Sequence, residues 1–306
     1  MNTIKFSVVI PLYNKVDSVS RTLVSVCEQR FAAAEIIVID DGSTDGSAAK
    51  VASLNIPNLT LVKQKNKGVS AARNLGVRLA QHQHIAFIDA DDQWSPFYLY
   101  EISKLMQRFP KHQCFASNYQ KVIEDGVYRN PKLAIGDLSP TGCVMDNYFE
   151  VCAKGDLPFM PSSFVINRQL FKQIGGFPVG EAMGEDQALF SQIALLGSLI
   201  YSPLVLMLYH TDSENRACDR HIPQDILPFA KRLLAKVAAG QVNKFTAPFV
   251  LQYCAAHICH LAKMNIQAGQ LTAAKQLLKH PVSRLKPLHR NLFGLWLITR
   301  YMFQKW

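Results

Sequence analysis

Short apolar runs and helical stretches alternate along the first 120 residues of the chain. Phe6–Leu12 is a continuous apolar run fit for a buried strand. Residues 17–30 place Val19, Leu23 and Val26 at helical spacing, with Asp17 or Ser18 as the N-cap. Strand-like runs return at residues 35–39, 59–63, 84–88 and 113–118, separated by helical stretches at 47–54, 69–80 and 97–109. Pro96 precedes the last of these, where a first helical turn tolerates it. Strands joined by helical crossovers of this length make a parallel sheet with helices on both faces, an α/β fold. In such a sheet ligands sit outside the carboxyl ends of the strands. Polar clusters follow the first, second and fourth strands: Tyr13-Asn14, Asp40-Asp41 and Asp89-Ala90-Asp91-Asp92. They are expected to converge on one rim.

The rest of the chain divides in two. Residues 120–160 are rich in Gly and Pro and read as loops and short strands over the sheet. A strand at 163–166, a helix at 168–174 closed by Gly175-Gly176, a helix at 186–196 and a strand at 199–208 complete the α/β part. Beyond Pro223 only helical patterns appear, at 226–239, 247–267, 271–279 and 291–304, and residues 249–278 read as a helical hairpin. Charge divides the chain near the same place. Residues 220–306 carry 13 Lys and Arg and one acid, Asp225, a balance of +12; residues 1–219 carry −2, and the whole chain +10. The expected domains are therefore an α/β domain at 1–219 and a basic helical region at 220–306, and the second points to an anionic partner.

Several classes are excluded. A hydrophobic content of 49% is too high for a mainly disordered chain. No apolar run reaches the ~18–20 residues of a membrane span. The N-terminal run is too short for a signal peptide, so a cytoplasmic protein is expected. Seven Cys, an odd number without Cys-x-x-Cys, argue for reduced and mostly buried thiols rather than a disulfide framework or zinc ribbon. No G-x-G-x-x-G follows the first strand, and there is no P-loop, H-E-x-x-H or G-x-S-x-G.

Carboxylates remain. Asp89, Asp91 and Asp92 crowd together after a buried strand and repel one another unless a cation joins them. A hard divalent ion, Mg²⁺ or Mn²⁺, would satisfy them and grip phosphates; a solvated turn of helix-capping acids is the alternative. Asp40 and Asp41 stand where an acid accepts from a ribose hydroxyl or a base N–H, or simply closes a strand in an Asx turn. Lys65, Lys67 and Arg73 flank Gly68 and either face a diphosphate or stand in solvent.

Together these pieces resemble a known family. Phe6-Ser-Val-Val-Ile-Pro-Leu-Tyr-Asn-Lys15, Val38-Ile-Asp-Asp-Gly-Ser-Thr-Asp45, Asn66-Lys-Gly-Val-Ser-Ala-Ala-Arg-Asn74 and Phe87-Ile-Asp-Ala-Asp-Asp92 are similar to four successive blocks of family 2 glycosyltransferases of the GT-A fold. Gly175-Gly-Phe177 and Gly184-Glu-Asp186 resemble two later ones, so that the resemblance spans about residues 4–215. It implies a mostly parallel GT-A sheet sandwiched by helices. It also implies inverting transfer of a sugar from a nucleotide diphosphate sugar, UDP being the commonest nucleotide in the family. The acceptor would be a saccharide or lipid-linked saccharide in surface-polysaccharide or lipopolysaccharide assembly.

By the same resemblance, Pro11, Tyr13 and Asn14 line the nucleotide pocket. Asp41 reads the base with Asp40 beside it, and Lys67 and Arg73 belong to that pocket. Asp89, Ala90 and Asp91 look like the D-x-D segment, with Asp89 toward ribose and Asp91 on Mn²⁺ or Mg²⁺; Asp92 is a further metal candidate. His210 looks like a third ligand or diphosphate contact, or is a plain loop histidine. Asn215-Arg216 could clamp phosphate. Asp186 looks like the general base, with Glu185 as its substitute.

These roles suit the chemistry. Inversion is one direct displacement, in which a carboxylate takes the acceptor proton and a metal offsets the charge on the leaving diphosphate. In the tail, Arg284, Lys286, Arg290, Arg300 and Lys305 alternate with aliphatic and aromatic residues. Such a helix suits anionic lipid headgroups, and hence a peripheral protein on the inner face of the cytoplasmic membrane. It could instead pack on the first domain or on a second copy, giving a homo-oligomer. No nucleic-acid module accompanies the charge, so no nucleic-acid partner is expected. The competing readings are an inactive nucleotide-binding scaffold of the same fold and a nucleotidyltransferase.

Overall fold

The computed structural model describes residues 4–123, 126–136, 138–197, 199–213 and 222–303. Its contacts divide the chain into two units, one of Met1–Asp146 and Leu157–Asn215, the other of Asn147–Asp156 and Arg216–Trp306. The segment Asn147–Asp156 lies inside the expected α/β span but belongs to the second unit.

In chain order the first unit contains β1 (Phe6–Leu12), α1 (Val19–Cys27), β2 (Glu35–Asp40), α2 (Ser47–Ser53), β3 (Leu59–Lys63), α3 (Val69–Leu79) and β4 (His84–Phe87). A short β5 (Gln93–Trp94), α4 (Tyr98–Arg108), β6 (Cys114–Ile123), β7 (Val127–Arg129) and β8 (Cys143–Val144) follow. Next comes α5 (Tyr148–Lys154), which is part of the second unit; β9 (Phe164–Asn167), α6 (Arg168–Gln173), α7 (Glu185–Leu196) and β10 (Leu199–His210) complete the first.

The sheet runs β3-β2-β1-β4-β9-β6-β10-β5, with β7 paired to β6 and β8 to β10. The pairs β3–β2, β2–β1, β1–β4 and β6–β10 are parallel. Within this mostly parallel sheet β9 is antiparallel to both β4 and β6. The reason lies in how the chain enters it. The 3-10 turn Pro161–Ser163 already sits at the carboxyl end of β4, where Ser162 Oγ accepts a hydrogen bond from Asp89 N at 3.0 Å, so β9 must run back across the sheet. The chain passes from β1 outward to β2 and β3, then crosses to β4 on the other side of β1. That reversal opens a crevice at the ends of β1 and β4.

Both faces of β1 are covered. Val8, Ile10 and Leu12 join one buried cluster with Val19, Leu23 and Val26 of α1 and Leu99 and Ile102 of α4. Val9 points the other way, under α3, where a Cβ on Gly76 would lie 2.3 Å from Val9 Cγ1. Only a glycine lets α3 approach that closely. A second apolar layer joins Phe87 of β4 to Phe164, Phe171 and Phe177. Ser18 takes the N-cap position of α1, yet its hydroxyl donates to the Ala90 carbonyl at 3.2 Å instead of capping the helix.

The second unit is helical: α5, α8 (Pro228–Ala238), α9 (Ala247–Gln267), α10 (Leu271–Lys279) and α11 (Pro287–Phe303). α9 is its axis. Tyr148 and Phe149 of α5 meet the Tyr253 ring at 6.2 and 5.9 Å. The expected hairpin is present, with α9 and α10 joined through Gly269 at φ +75°. Among the described residues six cysteines are free, and Cys114, Cys152, Cys254 and Cys259 are buried. Among those residues, no helix is long and apolar enough to cross a membrane.

Candidate active site

The polar residues that follow β1, β2 and β4 form three linked groups. The first fixes the loops themselves. Asn14 adopts φ +52°, which asparagine tolerates better than most residues. Its backbone N donates to Ser43 Oγ and its Oδ1 accepts from Thr44 N, joining the ends of β1 and β2. Asp40 is buried and accepts from Ser43 N at 2.9 Å, closing the turn that follows β2. Asp41 is buried too. Its Oδ1 accepts from Gln64 Nε2 and Lys67 N, and its Oδ2 from Gly68 N at 2.8 Å. Asp41 therefore moulds the loop before α3. Lys67 enters this group through its backbone. Pro11 is enclosed within β1 opposite Ile39, and Ala90 is buried, whereas Tyr13 is half-buried at the rim.

The second group centres on Arg73 of α3. Its Nη2 donates to both oxygens of Asp89 at 2.7 and 3.0 Å, and its Nη1 to Glu185 Oε1 at 3.0 Å. The Arg73 side chain is 3% exposed and lies 5.0 Å from the Phe177 ring centroid. Burial opposes its charge, but Asp89, Glu185 and the more distant Asp186 outweigh this and hold the guanidinium firmly protonated. The next residue, Asn74, clamps the Gly175-Gly176-Phe177 turn: its Nδ2 donates to Phe177 O at 2.7 Å and its Oδ1 accepts from Phe177 N at 3.0 Å. Gly184, at φ +82°, then opens α7. Asp186 sits in the first turn of α7, half-buried, with Oδ1 accepting its own helix's Gln187 N. Burial and the neighbouring Glu185 charge push its pKa up to about 7, against the pull of Gln187 N and Arg73.

The third group lies at the crevice between β1 and β4. Lys15 Nζ and Ser213 Oγ both donate to Asp91 Oδ2, at 2.6 and 2.7 Å. Asp92 is buried behind it. Its Oδ2 accepts from Ser162 Oγ at 2.5 Å and its Oδ1 from His210 N at 3.2 Å. Burial, then Asp91 and Asp89, raise its pKa well above the usual carboxylate range. Asp92 thus braces β4 against β10 and is turned away from the rim. His210, at the end of β10, is buried, and among the described residues neither ring nitrogen has a hydrogen-bond partner; Nδ1 stands 3.6 Å from Asp212 Oδ1. Burial, with Arg21 nearby, lowers its pKa and favours the neutral ring.

Sequence reasoning expected Asp89, Asp91, Asp92 and His210 to share an ion. Among the described residues no three His, Cys, Asp or Glu side chains gather into a metal cage. Asp89 is committed to Arg73 and Asp92 to Ser162. Asp91 and His210 are the pair whose chemistry suits a divalent cation, one carboxylate at the crevice and one neutral, unbonded imidazole. Lys15, Asn74 and Ser213 were not expected to act here, and Ser162 was expected only to shape the donor pocket. Lys15 and Asn74 stood inside the recognised blocks; Ser213 carries no spacing signal, and nothing in the sequence pairs Ser162 with Asp92. Asn215-Arg216 lies outside the described residues.

A family model described as Glycosyl transferase family 2 matches residues 7–185. An uncharacterised glycosyltransferase, YibD of Escherichia coli K12, is 45% identical over 97 residues, 31% of this chain and 28% of that protein. The amylovoran biosynthesis glycosyltransferase AmsB of Erwinia amylovora is 33% identical over 152 residues, 46% of this chain and 48% of that protein. The chain spans less than half the length of these relatives. Among solved structures, S. aureus TarS 1-349 in complex with UDP-GlcNAc superposes with a TM-score of 0.68 at 17% identity, covering 97% of this chain and 89% of that one. The mannosyltransferase PcManGT of Pyrobaculum calidifontis, in complex with GDP-Man and Mn²⁺, gives 0.60 at 18% identity, covering 99% and 87%. The likeness to these two is one of fold, the GT-A sheet with its helices.

Proposed function

The chain belongs to glycosyl transferase family 2, and from that premise we propose that it transfers a sugar, with inversion, from a nucleotide diphosphate sugar to an acceptor hydroxyl. The reading rests above all on Asp186, a half-buried carboxyl with a pKa pushed up to about 7 at the opening of α7. A base poised near neutral pH can both take a proton and be free to do so. Asp186 accepts the proton of the acceptor hydroxyl while that oxygen attacks the anomeric carbon. The bond from that carbon to the diphosphate oxygen breaks, and its electrons leave with the nucleotide. One displacement needs one base and no second nucleophilic carboxylate. Arg73 serves this step by pairing with Glu185 and Asp89 rather than with Asp186.

The donor is placed at the crevice between β1 and β4, with Asp89 toward the ribose and the Asn14, Asp41 and Lys67 loops framing the base. UDP is the proposed nucleotide; the TarS complex with UDP-GlcNAc supports it, and the PcManGT complex with GDP-Man keeps the second option concrete. Asp91 and His210 would hold Mn²⁺ or Mg²⁺, which when bound neutralises charge on the leaving diphosphate. The acceptor is proposed to be a saccharide or lipid-linked saccharide of a surface polysaccharide, in line with the amylovoran relative. The protein would meet it as a peripheral protein on the inner face of the cytoplasmic membrane.

Titration calorimetry with UDP, GDP, dTDP and CMP, each with and without Mn²⁺, tests the donor. One nucleotide is expected to bind in a metal-dependent way, and Asp186→Asn to bind it without turnover of its sugar. Binding of one nucleotide with no turnover of its sugar by the wild type would favour the scaffold reading, and binding of none would overturn the nucleotide-sugar reading. Pyrophosphate release from a nucleoside triphosphate and a sugar phosphate would favour the nucleotidyltransferase.

A further inference from the structure

The last helix presents its apolar residues to solvent. In α11, Leu288, Leu292, Leu295 and Ile298 are 82, 62, 62 and 58% exposed, while Phe293 and Leu297 are buried at 9 and 6%. At 100° per residue the four exposed aliphatics fall on one face, with half-buried Trp296 at its border. Phe293 and Leu297 lie on the other. The helix thus has two apolar faces, of which the second unit covers one. Leu285, 48% exposed in the preceding turn, extends the open face. A continuous apolar face of this kind marks a contact surface.

The surrounding charge says what covers it. From residue 226 to the end the sequence contains no Asp or Glu. Lys275 and Lys279 of α10 and Arg284 of the turn before α11 are exposed, as is Arg300, which lies beyond Trp296 at the border of the open face. A second copy of the chain would bring one strongly basic surface against another. An anionic surface would neutralise the same charges, and a lipid interface also accepts the apolar side chains. Among the described residues no helix can cross a membrane, so the helix would lie in the interface rather than span it.

We propose that α11 docks this chain on an anionic lipid surface, with Leu288, Leu292, Leu295 and Ile298 entering the headgroup region and the neighbouring cations meeting the lipid charge. The inference rests on the peripheral part of the proposed function and on none of its transfer chemistry. The test is co-sedimentation of the full chain with vesicles of phosphatidylcholine alone and of equal parts phosphatidylcholine and phosphatidylglycerol. The wild type is expected to bind the mixed vesicles, to release as salt rises, and to bind the neutral ones far less. Leu292→Glu with Leu295→Glu should lower partition onto mixed vesicles by roughly tenfold or more. Phe245→Glu, which charges an equally open apolar residue outside α11, should not. Unchanged melting would show that the double variant folds. A wild type that ignores mixed vesicles overturns the peripheral reading itself. Equal binding by the double variant overturns the assignment to α11. A wild-type dimer that the double variant dissociates, without vesicle binding, shows that the face pairs two copies and overturns the lipid assignment. Sugar transfer to a soluble acceptor is read separately and bears only on the chemistry.

Discussion

Lys15 Nζ lies 2.6 Å from Asp91 Oδ2, and the two side chains are only 11 and 15% exposed. The ammonium is delivered by a fixed backbone: Lys15 N donates to Ser47 Oγ, and Val16 N to Asp45 Oδ2. The acid offered to a cation at the crevice is thus already neutralised by a side chain of the same chain.

Replacing Lys15 by Met should therefore expose a competition. The variant leaves Asp91 without its positive partner, and the partly buried carboxylate should cost about 1–3 kcal/mol of stability. Added Mn²⁺ should restore much of that, so the Mn²⁺-induced rise in Tm should be larger in Lys15→Met than in the wild type. Equal rises in both would show that Lys15 and the ion do not share Asp91.

Asp91 and Asp92 should separate cleanly. Asp92→Asn keeps an acceptor for His210 N, and the Ser162 hydroxyl can turn to accept from the new amide. Activity should stay within a few-fold of the wild type. Because the Asp92 pKa is raised, the native carboxyl favours its neutral form, and its contribution to stability fades as pH rises. Urea melts across pH should show Asp92→Asn gaining on the wild type toward alkaline pH. Asp91→Asn should instead abolish the calorimetric response to Mn²⁺ with nucleotide.

The pH profile should belong to Asp186. A base with a pKa near 7 is protonated and idle below that pH and active above it, so kcat should rise through about pH 7. In Asp186→Asn the rate should fall by roughly 10²–10⁴-fold and the limb should vanish, while nucleotide affinity stays within a few-fold. A limb that survives the substitution would assign it to another group, Glu185 first.

Arg73 should move that limb. Its charge pulls the Asp186 pKa down, so Arg73→Gln should shift the rise in kcat to higher pH. The variant also strips Asp89 and Glu185 of their buried partner, at a cost of about 3–5 kcal/mol in urea unfolding. A limb that stays in place would show that Arg73 acts on Asp89 and Glu185 without tuning the base.

The alternation of runs was legible because the central strands β1 and β2 are buried on both faces, and Phe6–Leu12 and Leu59–Lys63 appear with the boundaries expected. The direction of β9 was not legible because Phe164-Val-Ile-Asn167 carries none; Ser162, anchored at the end of β4, reveals which way the strand must run. β5 is two residues long and α5 seven, too short to show a period. At the site, the acids and Arg73 were legible as residue types at recognisable spacing. Their division of labour was not. That Asp89 serves Arg73, Asp91 serves Lys15 and Asp92 serves Ser162 depends on partners 16, 76 and 70 residues away in sequence.

The Gly176 backbone offers the sharpest test of how the site is braced. Gly176 has φ +67°, and a Cβ there would lie 2.8 Å from Asn74 Oδ1 and 2.8 Å from a Phe171 ring carbon. Asn74 Oδ1 is the atom that accepts from Phe177 N, and the Phe177 ring supports Arg73. Gly176→Ala must therefore strain the backbone and displace the clamp together, at about 2–5 kcal/mol. Gly175 has φ +84° but open space around its missing Cβ, so Gly175→Ala should show the backbone term alone, about 1–2 kcal/mol. The difference between the two variants in urea unfolding isolates the Asn74 clamp. If the clamp holds Arg73 in place, Gly176→Ala should also shift the pH limb in the same direction as Arg73→Gln, and Gly175→Ala should not. Equal costs in both variants would show that the Asn74 bonds yield freely and that the turn is held by the Phe171–Phe177 packing instead.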